Sequence, residues 1–215
     1  MRPAELLAEL ETHAETLRAC RLCPEVAGRP VVAVPPRPAP LLLLGQAPGP
    51  REEGRGRLFA HTAGQRLFTW FGRIGLSEER FRERAWMAAT LRCFPGRVPG
   101  GDRVPGEHEI ARCRPHLDRE LALIRPRTVL AVGKLAIEQF VPAAPLADLV
   151  GQRFSLSRSG IRFELIPLPH PSGRSTWLAR PAHAELLDQA LAHLRESPGF
   201  RAAFPDLGSS PARSS

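Results

Sequence analysis

The 215-residue sequence predicts an α/β domain of three layers, with helices on both faces of a central four-stranded, mainly parallel sheet. Short apolar runs that stop at glycine or proline recur along the chain, as buried parallel strands do. Segments with apolar residues at helical spacing alternate with them. A hydrophobic content of 43% over this length supplies one sizeable core. No internal repeat divides the sequence, so residues 1–196 read as a single domain.

The elements follow in order. Leu6, Leu7, Leu10 and Leu17 recur at helical spacing over residues 4–19, and Pro24 helps to end that helix. A proline-rich stretch from Pro30 to Pro40 leads into Leu41–Leu44, a buried strand stopping at Gly45. Residues 62–76 suit a helix that turns Leu67, Phe68, Phe71 and Ile74 inward, with Thr62 as a cap. Trp86 to Leu91 is a second strand, which delivers Cys93. A Gly/Pro-rich loop from Phe94 to Gly106 precedes a helix over Glu107 to Ile124. Thr128 to Val132 is a third strand, entering a helix at Gly133, and Arg162 to Leu168 a fourth, ending at Pro169-His170. A last helix spans Pro181 to Leu194, and Ser197 to Ser215, rich in Pro, Ser and Gly, reads as a flexible C-terminal tail.

Charge narrows the partners only partly. The formal net charge is +8 and Lys134 is the only lysine, so the excess is arginine. Guanidinium groups suit phosphate oxygens, but abundant Arg, Ala, Pro and Gly also follow from a GC-rich genome. No apolar run approaches the ~20 residues a membrane span needs, and the N-terminal segment has no signal-peptide core. A cytoplasmic protein with no membrane partner is expected.

Four cysteines carry more information. Cys20 and Cys23 form a Cys-x-x-Cys pair, and Cys93 and Cys113 lie far downstream. The cytosol keeps thiols reduced, so the set reads as metal ligands rather than disulfides. Two thiolates on one turn plus two brought in by the fold suit an iron-sulfur cluster (4Fe-4S) or, as the alternative, zinc; spacing alone does not separate them. Three further motifs lie near: Gly45-Gln46-Ala47-Pro48-Gly49 at the carboxyl end of a strand, where open α/β sheets place ligands, Leu91-Arg92-Cys93-Phe94-Pro95-Gly96, and His170-Pro171-Ser172.

Together these segments resemble the family 4 uracil-DNA glycosylases. The stretch from Gly45 to Gln65 aligns without a gap to that family's first motif, which begins GEAPG, continues through an acidic stretch to G-x-P-F and ends in AGQ. Glu107 to Leu117 is similar to its PEEIxxCRPYL helix, and Ile124 to Gly133 to its IRPKVIVALG strand. The likeness covers most of Cys20 to about Arg180, and the cysteines match the family's iron-sulfur ligands in order. Only the loop between Cys93 and Cys113 is longer, around Gly100-Gly101.

The resemblance implies a monofunctional DNA glycosylase. It would flip uracil out of single- or double-stranded DNA, hydrolyse the N-glycosidic bond and leave an abasic site, as a step of base excision repair, acting as a monomer. Phe59 matches the aromatic that stacks on the flipped base; the alternative is a core Phe at a loop end. His170 matches the histidine that meets the uracil carbonyl as negative charge develops; the alternative is a histidine bonded to a loop. Glu52 matches a family acidic position and is expected to supply anionic stabilisation and help position water, unless it merely pairs with Arg51 or Arg55. The base-binding set is Gln46, Ala47, Phe59, His61, Ala89 and His170, and the DNA-contacting set Arg92, Ser172, Arg174 and Trp177. The loop after His170 would fill the space of the flipped base through Arg174, Trp177 or Leu178, with packing of Trp177 on the last helix as the other reading. Lys134 lacks the Gly-rich run of a phosphate loop and reads as structural, so no Schiff-base lyase step is expected.

Three departures mark a divergent branch. Gln46 stands where the family has glutamate, and an amide orients water but cannot act as a base. Ala89 stands where an asparagine reads the uracil edge, which leaves that task to backbone near Gln46 and Phe59, to His170, or to His61 or Arg92. His61 replaces a glycine. These leave two other readings open: a glycosylase for another deaminated or damaged base, and a protein that binds uracil or abasic DNA with weak turnover.

Overall fold

The computed structural model describes residues 2–32, 38–158, 160–172 and 176–208. Helix α1 (Pro3–Ala19) precedes strand β1 (Leu41–Gly45) and a single turn, α2 (Glu52–Arg55). Helices α3 (Thr62–Gly72) and α4 (Glu78–Arg84) lead into β2 (Ala85–Ala89), then a small hairpin of β3 (Arg97–Val98) and β4 (Gly101–Asp102). Helix α5 (Glu107–Ile124), strand β5 (Thr128–Val132), and short helices α6 (Lys134–Ile137) and α7 (Leu146–Leu149) follow. Strands β6 (Phe154–Arg158) and β7 (Ile161–Leu168), a 3-10 turn at Trp177–Ala179, and helices α8 (Pro181–Glu196), α9 (Pro198–Ala203) and α10 (Pro205–Gly208) complete the chain.

The main sheet has the order β2-β1-β5-β7-β6. The first four strands run parallel, and β6 pairs antiparallel with β7, Phe154 opposite Leu165. The sheet therefore has five strands, not the four expected. The missed strand, FSLSR, alternates two apolar residues with serines and packs only Phe154 and Leu156 against the core. That signal is too short to read as a strand without its partner.

Alternation along β1 builds the three layers. Leu41 and Leu43 join the cluster under α3, α8 and α9, with Phe71, Leu191 and Phe200. Leu42 and Leu44 join the opposite cluster with Leu10 of α1, Leu117 and Leu121 of α5, and Phe163. The carboxyl ends of β1, β2, β5 and β7 emerge along one edge of this sandwich.

The expected flexible tail from Ser197 is corrected over residues 197–208. Ser197 caps α9 by accepting from the Phe200 amide, and Pro198 occupies its first turn. Phe200 and Phe204 are buried, and the Gly199 amide donates to Thr128 Oγ1 at 2.9 Å. Serine and proline serve here as helix-start chemistry, and an i, i+4 pair of phenylalanines supplies the burial. Residues 209–215 lie outside the described residues.

Candidate active site

A cavity of about 440 Å³ opens at the carboxyl edge of the sheet. Gln46 and Ala47 after β1, Ala89 at the end of β2 and His170 after β7 form its floor, and Glu52, Phe59 and His61 come from the loop between β1 and α3. All seven residues expected to bind the base or act on it therefore share one cavity, which Ser172 also lines.

Glu52 braces the loop. It is 7% exposed; Oε1 accepts from the Ala60 amide at 3.0 Å and Oε2 from the Gly49 amide at 3.3 Å. Burial pushes its carboxyl above the usual carboxylate range, against the lowering effect of those amides and of Arg82. Neither Arg51 nor Arg55 takes it: Arg51 Nη1 donates to His61 Nε2 at 2.7 Å, and Arg55 donates to the Ala60 carbonyl.

Phe59 adopts φ 53°, a left-handed conformation uncommon for an aromatic residue. Its surroundings hold it there. Arg82 Nη2 donates to the Phe59 carbonyl at 2.8 Å and Nη1 to the Leu58 carbonyl at 3.0 Å, while the guanidinium lies 4.9 Å from the Phe68 ring centroid and Nε pairs with Glu78. Gly64 lets α3 pass over the same carbonyl, since a Cβ there would lie 1.7 Å from the Phe59 oxygen. The ring itself rests on Gly45, whose Cβ would meet it at 2.8 Å. Arg82 is a positioning residue that sequence reading missed; its place in a short charged helix gave no sign of where the guanidinium would go.

His170 packs against Gly133, with Cδ2 only 3.1 Å from a Cβ built on that glycine. Burial lowers its pKa, so the imidazole is neutral at neutral pH and offers an N–H without carrying charge. At His61, acceptance from Arg51 at Nε2 places the ring proton on Nδ1, which faces Thr62 Oγ1 at 3.3 Å. Ala89 is 1% exposed and contributes only a methyl group.

The longer loop between Cys93 and Cys113 supplies a wall that the sequence did not reveal. Its hairpin brings Arg97, Asp102 and Arg103 to the cavity. Arg103 is fixed by a two-bond fork to buried Glu109, at 2.7 and 2.6 Å, and by bonds to the Pro95 carbonyl. Glu109 also accepts from the Gly106 amide at 2.7 Å, which joins the hairpin to the start of α5.

The DNA-contacting expectations divide. Arg66 of α3 donates to the Ser172 carbonyl at 2.7 Å and ties the segment after His170 to the cavity rim. Arg174 lies outside the described residues. Trp177 takes the packing reading: its ring stacks on His183 of α8 with centroids 4.2 Å apart. Arg92 is corrected. Its side chain is 1% exposed and forms a fork with Glu120 of α5 at 2.7 and 2.6 Å, so it reaches neither DNA nor the base. Lys134 sits in α6 beside Glu138, at 3.7 Å, and is not among the residues lining the cavity.

A second cavity of about 390 Å³ is lined by Cys20, Cys23, Cys93 and Cys113 together. All four are free of disulfides. Burial pushes the Cys93 thiol up to about 12, and the neighbouring cysteines add to the shift because thiolates repel one another. Burial also raises Cys113, opposed by Arg92, and Cys23, opposed by Arg112. Among the described residues no three His, Cys, Asp or Glu side chains are placed to hold a single metal ion. The four thiols line one cavity, a donor set of soft sulfur ligands that suits an iron-sulfur cluster or zinc.

Comparison with known proteins agrees with this geometry. Residues 32–195 match the Uracil DNA glycosylase superfamily. The chain is 26% identical over 174 residues to the Type-4 uracil-DNA glycosylase of Archaeoglobus fulgidus, covering 77% of this chain and 83% of that one. It is 25% identical over 193 residues to the Type-4 uracil-DNA glycosylase of Thermotoga maritima, covering 89% and 94%. Against the Type-4 enzyme of Pyrobaculum aerophilum the figures are 26% over 137 residues, 61% and 66%. With a superfamily match running from before β1 to the end of α8, over the strands and loops that build the cavity, the chain belongs to the uracil DNA glycosylase superfamily.

Proposed function

We propose that this protein is a monofunctional uracil-DNA glycosylase that hydrolyses the N-glycosidic bond of deoxyuridine in DNA. The observation that carries the reading is the convergence of Phe59, His170, Glu52 and Gln46 on one cavity at the carboxyl edge of the sheet. A base flipped out of the stack would lie on the Phe59 ring, whose strained backbone is held before substrate arrives. As the C1′–N1 bond breaks, its electron pair leaves with the base and charge spreads onto the carbonyl oxygens. Neutral His170 donates a hydrogen bond there. Positive charge builds on the sugar, and Glu52 supplies fixed negative charge beneath it. The Gln46 amide orients the water that adds to C1′, and the products are free uracil and an abasic site. Exposed Lys134 pairs with Glu138, and no lysine is among the described residues that line the cavity, which supports a reaction without a lyase step.

Cys20, Cys23, Cys93 and Cys113 would hold a 4Fe-4S cluster. When bound, the cluster would supply positive charge that favours the thiolate form of its ligands, and it would tie the turn after α1 to the segments after β2 and within α5. This role is architectural. No helix among the described residues is long and apolar enough to cross a membrane, and the reading carries a monomer acting on DNA in the cytoplasm.

One observation favours a second reading, a glycosylase for another deaminated or damaged base. Ala89 places only a methyl group at the strand end where the family pattern has an asparagine to read a pyrimidine edge. The test is release of uracil from a labelled uracil-containing oligonucleotide by the metal-loaded protein, followed by alkaline cleavage, beside Glu52→Ala and His170→Ala. Release by the wild type that is lost in both variants supports uracil excision at this site. Folded, metal-loaded protein that leaves uracil in place but releases hypoxanthine, or another damaged base, from a matched duplex moves the assignment to the second reading.

A further inference from the structure

The water that attacks C1′ must lose a proton, and the residues given a role so far do not supply a base for it. Gln46 is an amide. Glu52 accepts backbone N–H bonds on both oxygens and is 7% exposed. His170 is needed with its proton in place, and His61 Nε2 already accepts from Arg51. Among the described residues that line the cavity, the only carboxylate besides Glu52 is Asp102, on the hairpin wall.

We infer that Asp102 takes over the water-activating role that Gln46 cannot perform, an assignment that rests on the glycosylase reading above. Its side chain is 52% exposed, and its one ion pair is loose, with Arg97 Nε at 3.9 Å from Oδ1. Oδ2 faces the turn that carries Gln46: it lies 4.0 Å from a Cβ built on Gly49. The placement is fixed by neighbours rather than by the side chain. Arg97 pairs with Asp102 in the hairpin register, and the next residue, Arg103, is pinned by its amide to the Gly96 carbonyl at 2.9 Å and by its fork to Glu109. A half-exposed carboxylate is thereby held at the cavity wall beside the Gly49 turn, whose amide donates to Glu52. In the proposed step one water O–H proton passes to Asp102 as the water oxygen bonds to C1′ and the C1′–N1 pair leaves with the base. The proton then returns to the departing base or to solvent, and the net change is addition of one water.

The test is single-turnover uracil release by the full, metal-loaded chain, with DNA affinity measured alongside. Asp102→Ala and Asp102→Asn should slow the chemical step by about 10²-fold at unchanged affinity, while Asp102→Glu stays within about tenfold of wild type. Added formate should restore part of the Asp102→Ala rate, which a purely structural aspartate would not allow. Arg97→Ala, which removes the same ion pair, should change the step by less than about threefold. Wild-type release together with an Asp102→Ala rate within about threefold of it overturns the inference and leaves the glycosylase reading intact. So does an Arg97→Ala loss equal to that of Asp102→Ala with no formate rescue, because Asp102 would then act only by holding the hairpin. Folded wild-type protein that releases no uracil overturns the glycosylase reading and this inference with it.

Discussion

Replacing Glu52 by alanine separates its brace role from its charge role. The substitution leaves the Ala60 and Gly49 amides without their acceptor. A buried amide stripped of its partner costs about 1–3 kcal/mol, but both residues are only half-buried and the Gly49 bond is long, so the low end applies and the two together cost roughly 2 kcal/mol. Removing a carboxylate whose ionised form burial disfavours returns part of that. A net loss of about 1–2 kcal/mol lowers the melting temperature by about 2–8 °C in a domain of this size. The pH dependence has opposite signs for stability and rate. The folded-state pKa of Glu52 is raised, so its stabilising contribution is full at pH below the ordinary carboxylate range and is lost as pH rises through the raised value. In the proposed mechanism uracil release needs the charged form, so the rate should fall as pH drops through that same window, above the range of an ordinary carboxylate. Thermal melts and single-turnover rates of wild type, Glu52→Ala and Glu52→Gln across the acid range measure both. A wild-type melting profile unchanged in Glu52→Ala, together with a release rate whose acid limb stays at the wild-type pH in Glu52→Gln, would refute the reasoning.

Three further outcomes follow from the packing. Glu120→Gln leaves the Arg92 guanidinium buried without its counter-charge, and should cost about 3–5 kcal/mol in chemical denaturation; an unchanged midpoint would mean that Arg92 escapes to solvent. Gly64→Ala sets a Cβ against the Phe59 carbonyl, and should cost about 1–3 kcal/mol and weaken binding of uracil-containing DNA, read by melts and by titration of labelled duplex; wild-type values for both would show that α3 can shift at no cost. Cys113→Ser should lower iron content and melting temperature together while leaving the preference among lesion duplexes unchanged, and retention of both iron and melting temperature would dismiss the cluster's architectural role.

How far the fold was legible follows from where each signal lies. The Leu41–Leu44 run and Thr128–Val132 are buried on both faces, and their largely apolar sequences state this directly, while the strand before His170 alternates at Arg162 and Glu164 before its buried Leu165–Leu168 end. Most of the cavity was legible too, because the Gly45 and His170 motifs end strands on the same edge. What stayed hidden depends on partners distant in sequence. Arg92 reads as a surface cation beside a motif until Glu120, on the buried stripe of α5 with Cys113, Leu117 and Ile124, is brought to it. A carboxylate on an apolar helical stripe is a signal for such a pair, and it was present. The hairpin wall had no signal of comparable strength: strands of two residues show no period, and Gly100-Gly101 reads only as loop.

The departures at Gln46, His61 and Ala89 make sense together once the hairpin is in place. A glycosylase cavity needs an aromatic platform, a donor for the departing base, negative charge near the sugar and an acceptor for the water's proton. In the proposed reading Phe59, His170 and Glu52 supply the first three, each held by contacts to residues other than 46 and 89. Losing a carboxylate at 46 therefore removes only the acceptor, and losing an amide at 89 removes only an edge reader. In the same reading the hairpin returns an acceptor at Asp102, beside the Gly49 turn, and His61, held by Arg51, returns a polar ring to the cavity. Functions carried by two adjacent strand ends in the family pattern are moved in this reading to two loops, and loops tolerate such exchange because their length and sequence can change without disturbing the sheet that positions them.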